Sequence, residues 1–190
     1  MKSITFMKII KSQFCEWLIT QNRLQESGFK EWLFKPGMLF NDMTKWWQDG
    51  TLRLRPHEGV DFCCGINGED DVVYLLAGAN IPALYAGKVV RIFPDFLGQS
   101  IMVAHDYEKK GRQLTSIYAH TKPRPGLKVG QKVKAGDLLA MIATGRQNGI
   151  KAHLHLSTCW AAESQMTQID WQTVNDKQAA WLSNPMDYLK

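Results

Sequence analysis

From residue 51 onward, short apolar runs rich in β-branched residues alternate with glycines, and this texture leaves room for little but a β domain. The candidate strands are Val72 to Leu76, Gly87 to Ile92, Ser100 to Ala104, Leu114 to Tyr118, Leu138 to Ala143 and His153 to Thr158. Gly65, Gly68, Gly98, Gly111, Gly126, Gly130, Gly136, Gly145 and Gly149 punctuate them. Apolar runs this short, bounded by turn residues, suit strands rather than helices. The expected fold is therefore mostly β, an antiparallel domain over residues 51–190.

Residues 1–50 have a different texture. Phe6, Ile9, Ile10, Phe14 and Trp17 recur at three- and four-residue spacing, which predicts an amphipathic helix. Phe29, Trp32, Leu33 and Phe34 form a second apolar segment stopped by Pro36-Gly37, and Asn41 to Trp47 form a third. These aromatics are expected to pack on the β domain, so residues 1–50 read as a short helical N-terminal segment. Near the other end, Asp176 to Leu182 reads as a short helix. The whole length of 190 residues suits one domain with such an appendage.

Composition narrows the function classes. Seven Trp and eight Phe require a core and exclude a disordered chain. The net charge is +5, but the basic residues are scattered, with no Lys/Arg run and no groove-reading motif. Nucleic acid is therefore not an expected partner. No run of 18 apolar residues is present, so no transmembrane segment is expected. The opening MKSITFMKIIKSQFCEWLITQ is broken by Lys8, Lys11 and Glu16 and lacks the continuous apolar stretch of a secretory signal. Cys15, Cys63, Cys64 and Cys159 show no Cys-x-x-Cys spacing and read as small buried hydrophobes. Cys63 and Cys64 are neighbours, and neighbours on a strand point to opposite faces.

Chemistry concentrates in the five histidines. In His153-Leu154-His155-Leu156 a strand would turn both histidines to one face and both leucines to the other. The leucines suit a core and the histidines an open groove. In His57-Glu58-Gly59-Val60-Asp61, Pro56 and Gly59 argue against a helix. An extended, slightly bent segment brings His57 and Asp61 to one face. Two imidazoles and a carboxylate suit zinc with a fourth position left for water. Such an ion lowers the pKa of its water toward about 7 and polarises a carbonyl oxygen. His120 ends a candidate strand ahead of Thr121-Lys122-Pro123, where it can hydrogen-bond that water or a developing oxyanion.

Five motifs in order carry a resemblance. They are Arg55-x-His57-Glu58-Gly59-Val60-Asp61-Phe62, Gly87-Lys88-Val89-Val90, Tyr118-Ala119-His120, Val129 to Gly136, and His153-Leu154-His155. Together with Asn184 to Leu189, they resemble the lysostaphin/LytM-type zinc endopeptidases of peptidoglycan, from about Leu52 to Leu189. The resemblance implies a compact antiparallel β domain with one zinc ion at the floor of a groove. It implies that His57, Asp61 and His155 are the zinc ligands, and that His120 and His153 are catalytic histidines not bound to metal. It implies peptidoglycan peptides as partners and hydrolysis of stem or cross-link peptide bonds. It also implies a periplasmic or extracellular location, although no signal peptide is recognisable and a cytoplasmic one stays open.

The sequence departs from the family pattern at Lys151-Ala152, at Thr121 and at Ser157, where an acidic residue often stands. The sequence offers two rival readings. Val129 to Met141 resembles a half-repeat of biotinyl or lipoyl carrier domains, but the modified-lysine hairpin is missing. The second rival is a catalytically inactive relative that binds and regulates another cell-wall hydrolase; such relatives typically lose metal ligands or catalytic histidines, and here all five positions are filled.

Overall fold

A computed structural model describes residues 9–48, 51–144 and 149–190, so Phe6 and Gly145 lie outside the described residues. One α-helix, α1 (Phe14–Gln21), and a 3-10 turn (Leu24–Ser27) precede the sheets. The strands are β1 (Phe29–Trp32), β2 (Val60–Phe62), β3 (Cys64–Asn67), β4 (Val72–Tyr74), β5 (Asn80–Pro82), β6 (Gly87–Pro94), β7 (Gln99–Lys109), β8 (Arg112–Pro123), β9 (Lys132–Val133), β10 (Leu138–Ile142), β11 (Leu154–Ala161) and β12 (Ala180–Ser183). The large sheet runs β12-β11-β8-β7-β6-β9, with β2 beside β11 and β10 joining β5 to β8. A small sheet, β1-β3-β4, lies apart from that path, and all these strand pairs are antiparallel.

The β reading of residues 51–190 holds, with strands longer than their apolar windows. β7 and β8 continue through Glu108, Lys109, Arg112 and Gln113 to a two-residue turn at Lys110-Gly111, both with positive φ. A turn of that kind matches the twist of paired strands, so the ladder extends into polar sequence.

Two expectations for helices change. The helix starts at Phe14, not ahead of it. Ile9 and Ile10 precede it, and Ile10 is exposed. Ser12 there exchanges backbone hydrogen bonds with Tyr188 and Lys190, and its Oγ donates to the Leu84 carbonyl. Tertiary pairing outweighs the local periodicity. Likewise Asp176 to Leu182 is not helical: Ala180–Ser183 form β12 and pair with β11 from Thr158 to Ala161. That pairing supplies partners for the β11 backbone, which would otherwise be an unpaired edge.

The large sheet is covered on both faces. On one, Phe14 and Leu18 of α1 pack with Val60, Phe62, Tyr118, Leu154 and Leu156, and Phe29, Trp32 and Phe34 close over this core. On the other, Ile117, Cys159 and Ala161 meet Met166, Ile169, Val174 and Ala180. Strand alternation in β11 thus sends Leu154 and Leu156 into the first core, and His155 and Ser157 to the opposite side. Cys63 falls in the break between β2 and β3, where alternation lapses. Cys63 and Cys64 pack in one cluster with Met38 rather than facing apart. All four cysteines are free; three are buried and Cys15 is partly so.

Candidate functional site

Strand register builds the site. His155 in β11 lies directly opposite Asp61 in β2 on one side and Ala119 in β8 on the other. Gly59 makes the approach of the His57 segment possible. A Cβ there would collide with the Leu156 carbonyl and stand 2.8 Å from Ser157 Oγ. His120 follows Ala119 in the left-handed region, φ +63°, a conformation uncommon for a non-glycine residue and enriched at functional sites.

Three donor atoms converge. Asp61 Oδ1 is 3.2 Å from His57 Nε2 and 2.8 Å from His155 Nδ1, and the two nitrogens are 3.0 Å apart. All three residues are buried. The outer ring nitrogens are held as a metal site requires. The Leu39 carbonyl can only accept, so His57 Nδ1 donates to it at 3.0 Å and Nε2 keeps its lone pair. With His155 Nδ1 serving as a donor to metal, its Nε2 carries the ring proton and donates to Ser157 Oγ at 2.8 Å. Tetrahedral zinc with ligands at about 2.0–2.1 Å sets its donors roughly 3.3 Å apart, close to this spacing. The residues therefore fit one zinc ion.

Electrostatics agree with that fit. Burial alone would raise the Asp61 pKa. The field of His153 and the close approach of the His155 and His57 rings outweigh it, and the carboxyl sits well below its ordinary value. Burial also lowers the His155 pKa, so its imidazole favours the neutral form that ligates metal.

His153 and His120 complete the cluster without joining the donor triad. The His153 Nδ1 donates to the Lys151 carbonyl at 2.8 Å, which leaves Nε2 facing Asp61 Oδ1 at 4.0 Å. Burial pushes its pKa down to about 4. The His120 ring lies 4.8 Å from that of His153. Asp95 orients it: Oδ1 accepts from His120 Nδ1 at 3.1 Å and Oδ2 from the His120 backbone at 2.9 Å. Asp95 also accepts from Leu97 N, Gly98 N and Ser100 Oγ, and Trp171 Nε1 donates to that same Ser100 hydroxyl. Burial pushes the Asp95 carboxyl up, but the bonds and charge of His120 and the Ser100 hydroxyl hold it below the usual range. The five predicted site residues thus come together. Asn41, upstream, is exposed, and it meets His57 through backbone.

Above the cluster is a cleft of about 190 Å³ walled by Trp47, Phe96, Ile150 and Trp171, with Arg53 and Glu58 at its edge. Phe96 stacks edge-on to His120 and Trp171 to His155. A larger concavity of about 630 Å³ is lined by β6, the segment before β9 and Glu163 to Thr167. It contains none of the five residues, so the smaller cleft is the chemical site. Asp95, Trp46 and Trp171 were not legible as site residues. Asp95 reads as an ordinary turn residue after Pro94, and nothing local links a tryptophan to a metal ligand.

A model of peptidase family M23 matches residues 55–168, more than half of the chain and all five site residues. The chain belongs to peptidase family M23. Among solved structures, the catalytic domain of the antimicrobial peptidase lysostaphin from Staphylococcus simulans is similar at 20% identity. Its TM-score is 0.50, over 79% of this chain and 86% of that one, a likeness of fold. LytU is 30% identical over 69% of this chain and 79% of that one, with a TM-score of 0.45. A zinc-containing peptidase from Vibrio cholerae is 25% identical over 70% of this chain, with a TM-score of 0.47. This chain covers 34% of the length of that V. cholerae protein. The M23 assignment and the lysostaphin-like fold agree with the antiparallel β domain expected from sequence.

The fifth histidine stands apart from the M23 site. His105 is fully buried, with Nδ1 donating to the Ala86 carbonyl and Nε2 paired with Ser116 Oγ at 2.8 Å. Burial lowers its pKa from 6.5 to about 4. The unfolded chain takes up this proton as pH falls through 6.5, and the folded state does so only near 4. The fold should therefore lose up to about 3 kcal/mol across that window from this group and no more below it. Denaturant titrations of wild type and His105→Gln between pH 7 and 4 check this. The wild type should lose more stability on acidification than the variant; equal losses would contradict it.

Proposed function

We propose that this chain is a zinc-dependent endopeptidase that hydrolyses peptide bonds in the stems or cross-links of bacterial peptidoglycan. The observation that carries this reading is the convergence of His57 Nε2, Asp61 Oδ1 and His155 Nδ1 beneath an open cleft. Membership of a peptidase family and the motif resemblance to peptidoglycan enzymes support the reaction and the substrate class.

His57, Asp61 and His155 would hold the ion. Bound there, zinc supplies Lewis acidity, lowering the pKa of water and polarising a carbonyl oxygen. The protein's own groups handle protons. His153, its Nδ1 anchored on the Lys151 carbonyl, presents Nε2 to take a proton from the attacking water. His120, its Nδ1 anchored on Asp95, presents Nε2 to the cleft, where the doubly protonated ring, balanced by the Asp95 carboxylate, would donate to the oxyanion and pass its Nε2 proton to the leaving amine. The aromatic walls limit water and shape the peptide path. We place the reaction outside the cytoplasm; cell fractionation with detection of the protein tests this.

The decisive experiment is digestion of purified peptidoglycans of different cross-link type, with mass analysis of the fragments. New amine termini should appear with the zinc-loaded protein, vanish with a chelator and return with added zinc. Stoichiometric zinc without any fragment from any wall type would reject the enzyme reading.

A further inference from the structure

Residues 37–48 and 51–53 lie ahead of the family match, which begins at residue 55, yet they are built against the metal-ligand candidates. The Met38 carbonyl accepts from Asp61 N, the Asp42 carbonyl from His57 N, and Asn41 N donates to the His57 carbonyl. Asp42 Oδ2 closes the turn by accepting from Gly37 N. The chain then forms an antiparallel arm: Arg53 N donates to the Met43 carbonyl, Lys45 N to the Thr51 carbonyl, and Thr44 bridges Leu52. Arg53 ties the arm to the Thr44 and Gly37 carbonyls.

This arm brings two polar side chains to Asp61: the Arg53 guanidinium stands 3.7 Å from Asp61 Oδ2, and the Trp46 indole lies closer. Trp46 Nε1 donates to Asp61 Oδ2 at 2.7 Å. The two oxygens of one buried carboxylate are thereby given separate partners: Oδ1 faces both histidine nitrogens, while Oδ2 accepts from the indole and has the Arg53 charge beyond it. The indole is itself clamped, edge-on to Trp47 and perpendicular to His153 at 5.1 Å. A carboxylate whose second oxygen is free can swing it toward a cation and take up an extra coordination position. An N–H donor on that oxygen opposes the swing and fixes the plane of the group.

We propose that Trp46 is a positioning residue for the metal centre, holding Asp61 Oδ2 so that the carboxylate offers a single oxygen and a coordination position stays open to substrate. This rests on the zinc reading above. Because Trp46 lies outside the stretch matched by the family model, it is a property of this chain's own N-terminal arm.

The test uses the full chain and two variants: Trp46→Phe, and benzothienylalanine at position 46, which keeps the shape of tryptophan and lacks only the N–H. Zinc affinity is measured by chelator competition, cobalt coordination by visible absorption, and folding by thermal melting of the metal-free proteins. Losing an outer hydrogen-bond partner of a ligand should weaken zinc by about 10-fold or more. Cobalt in the variants should show the weaker visible bands of a higher coordination number. Unchanged affinity and spectrum in either folded variant would overturn the proposal. Weaker affinity with an unchanged spectrum would overturn it too, since it would mark a merely structural role. If the wild type itself takes up no stoichiometric zinc, the zinc reading has failed and the role of Trp46 falls with it. If the wild type binds and the variants match it, only the role of Trp46 is lost.

Discussion

Replacing His155 with alanine is expected to remove zinc and turnover together. His155 supplies one of three converging donors, and its register opposite Asp61 holds the other two in place around it. Outer partners of metal ligands cost about 10–100-fold in affinity when removed, and loss of a ligand itself should exceed that range. The fold should survive, because the β11 side chains that fill the first core are Leu154 and Leu156 on the opposite face. Elemental analysis of the purified variant, alongside peptide release from cell walls, reads both effects. Full zinc occupancy in the variant would remove His155 from the ligand set.

Replacing His120 with alanine should have a different signature: zinc is retained and turnover falls about 100-fold or more, the cost of losing one transition-state hydrogen-bond partner. His120 is not in the donor triad, and its ring is oriented by Asp95 rather than by the metal-ligand candidates. Asp95 keeps its bonds to Leu97, Gly98, Ser100 and the backbone of residue 120, so the loop should stay formed. Single-turnover rates at saturating zinc check this, with zinc content measured on the same sample. A variant as fast as wild type would refute a catalytic role.

The grouping of the site residues is legible in the sequence for a simple reason. His153, just ahead of β11, and His155 within it are two apart, His57 and Asp61 are four apart on an extended segment, and both spacings are local geometry. The hydrophobic alternation that buries Leu154 and Leu156 turns His155 to the cleft. Two helix expectations failed for the opposite reason. Ile9 and Ile10 have helical spacing with Phe14, and Asp176 to Leu182 have no strand signature, yet each segment is claimed by a distant partner, Tyr188 and Lys190 in one case and β11 in the other.

Sequence alone thus determined the β class, the donor types and their local spacing, since these follow from side-chain chemistry and backbone periods of a few residues. Tertiary structure decided what surrounds the donors. Ser157 on His155, the Leu39 carbonyl on His57, Asp95 on His120 and Trp46 on Asp61 are 2, 18, 25 and 15 residues from the groups they hold. Apart from Ser157, each reaches its partner only after chain segments with no local signal for one another have packed. Hydrogen bonds formed at that distance depend on register and turn geometry, which no short stretch of sequence encodes.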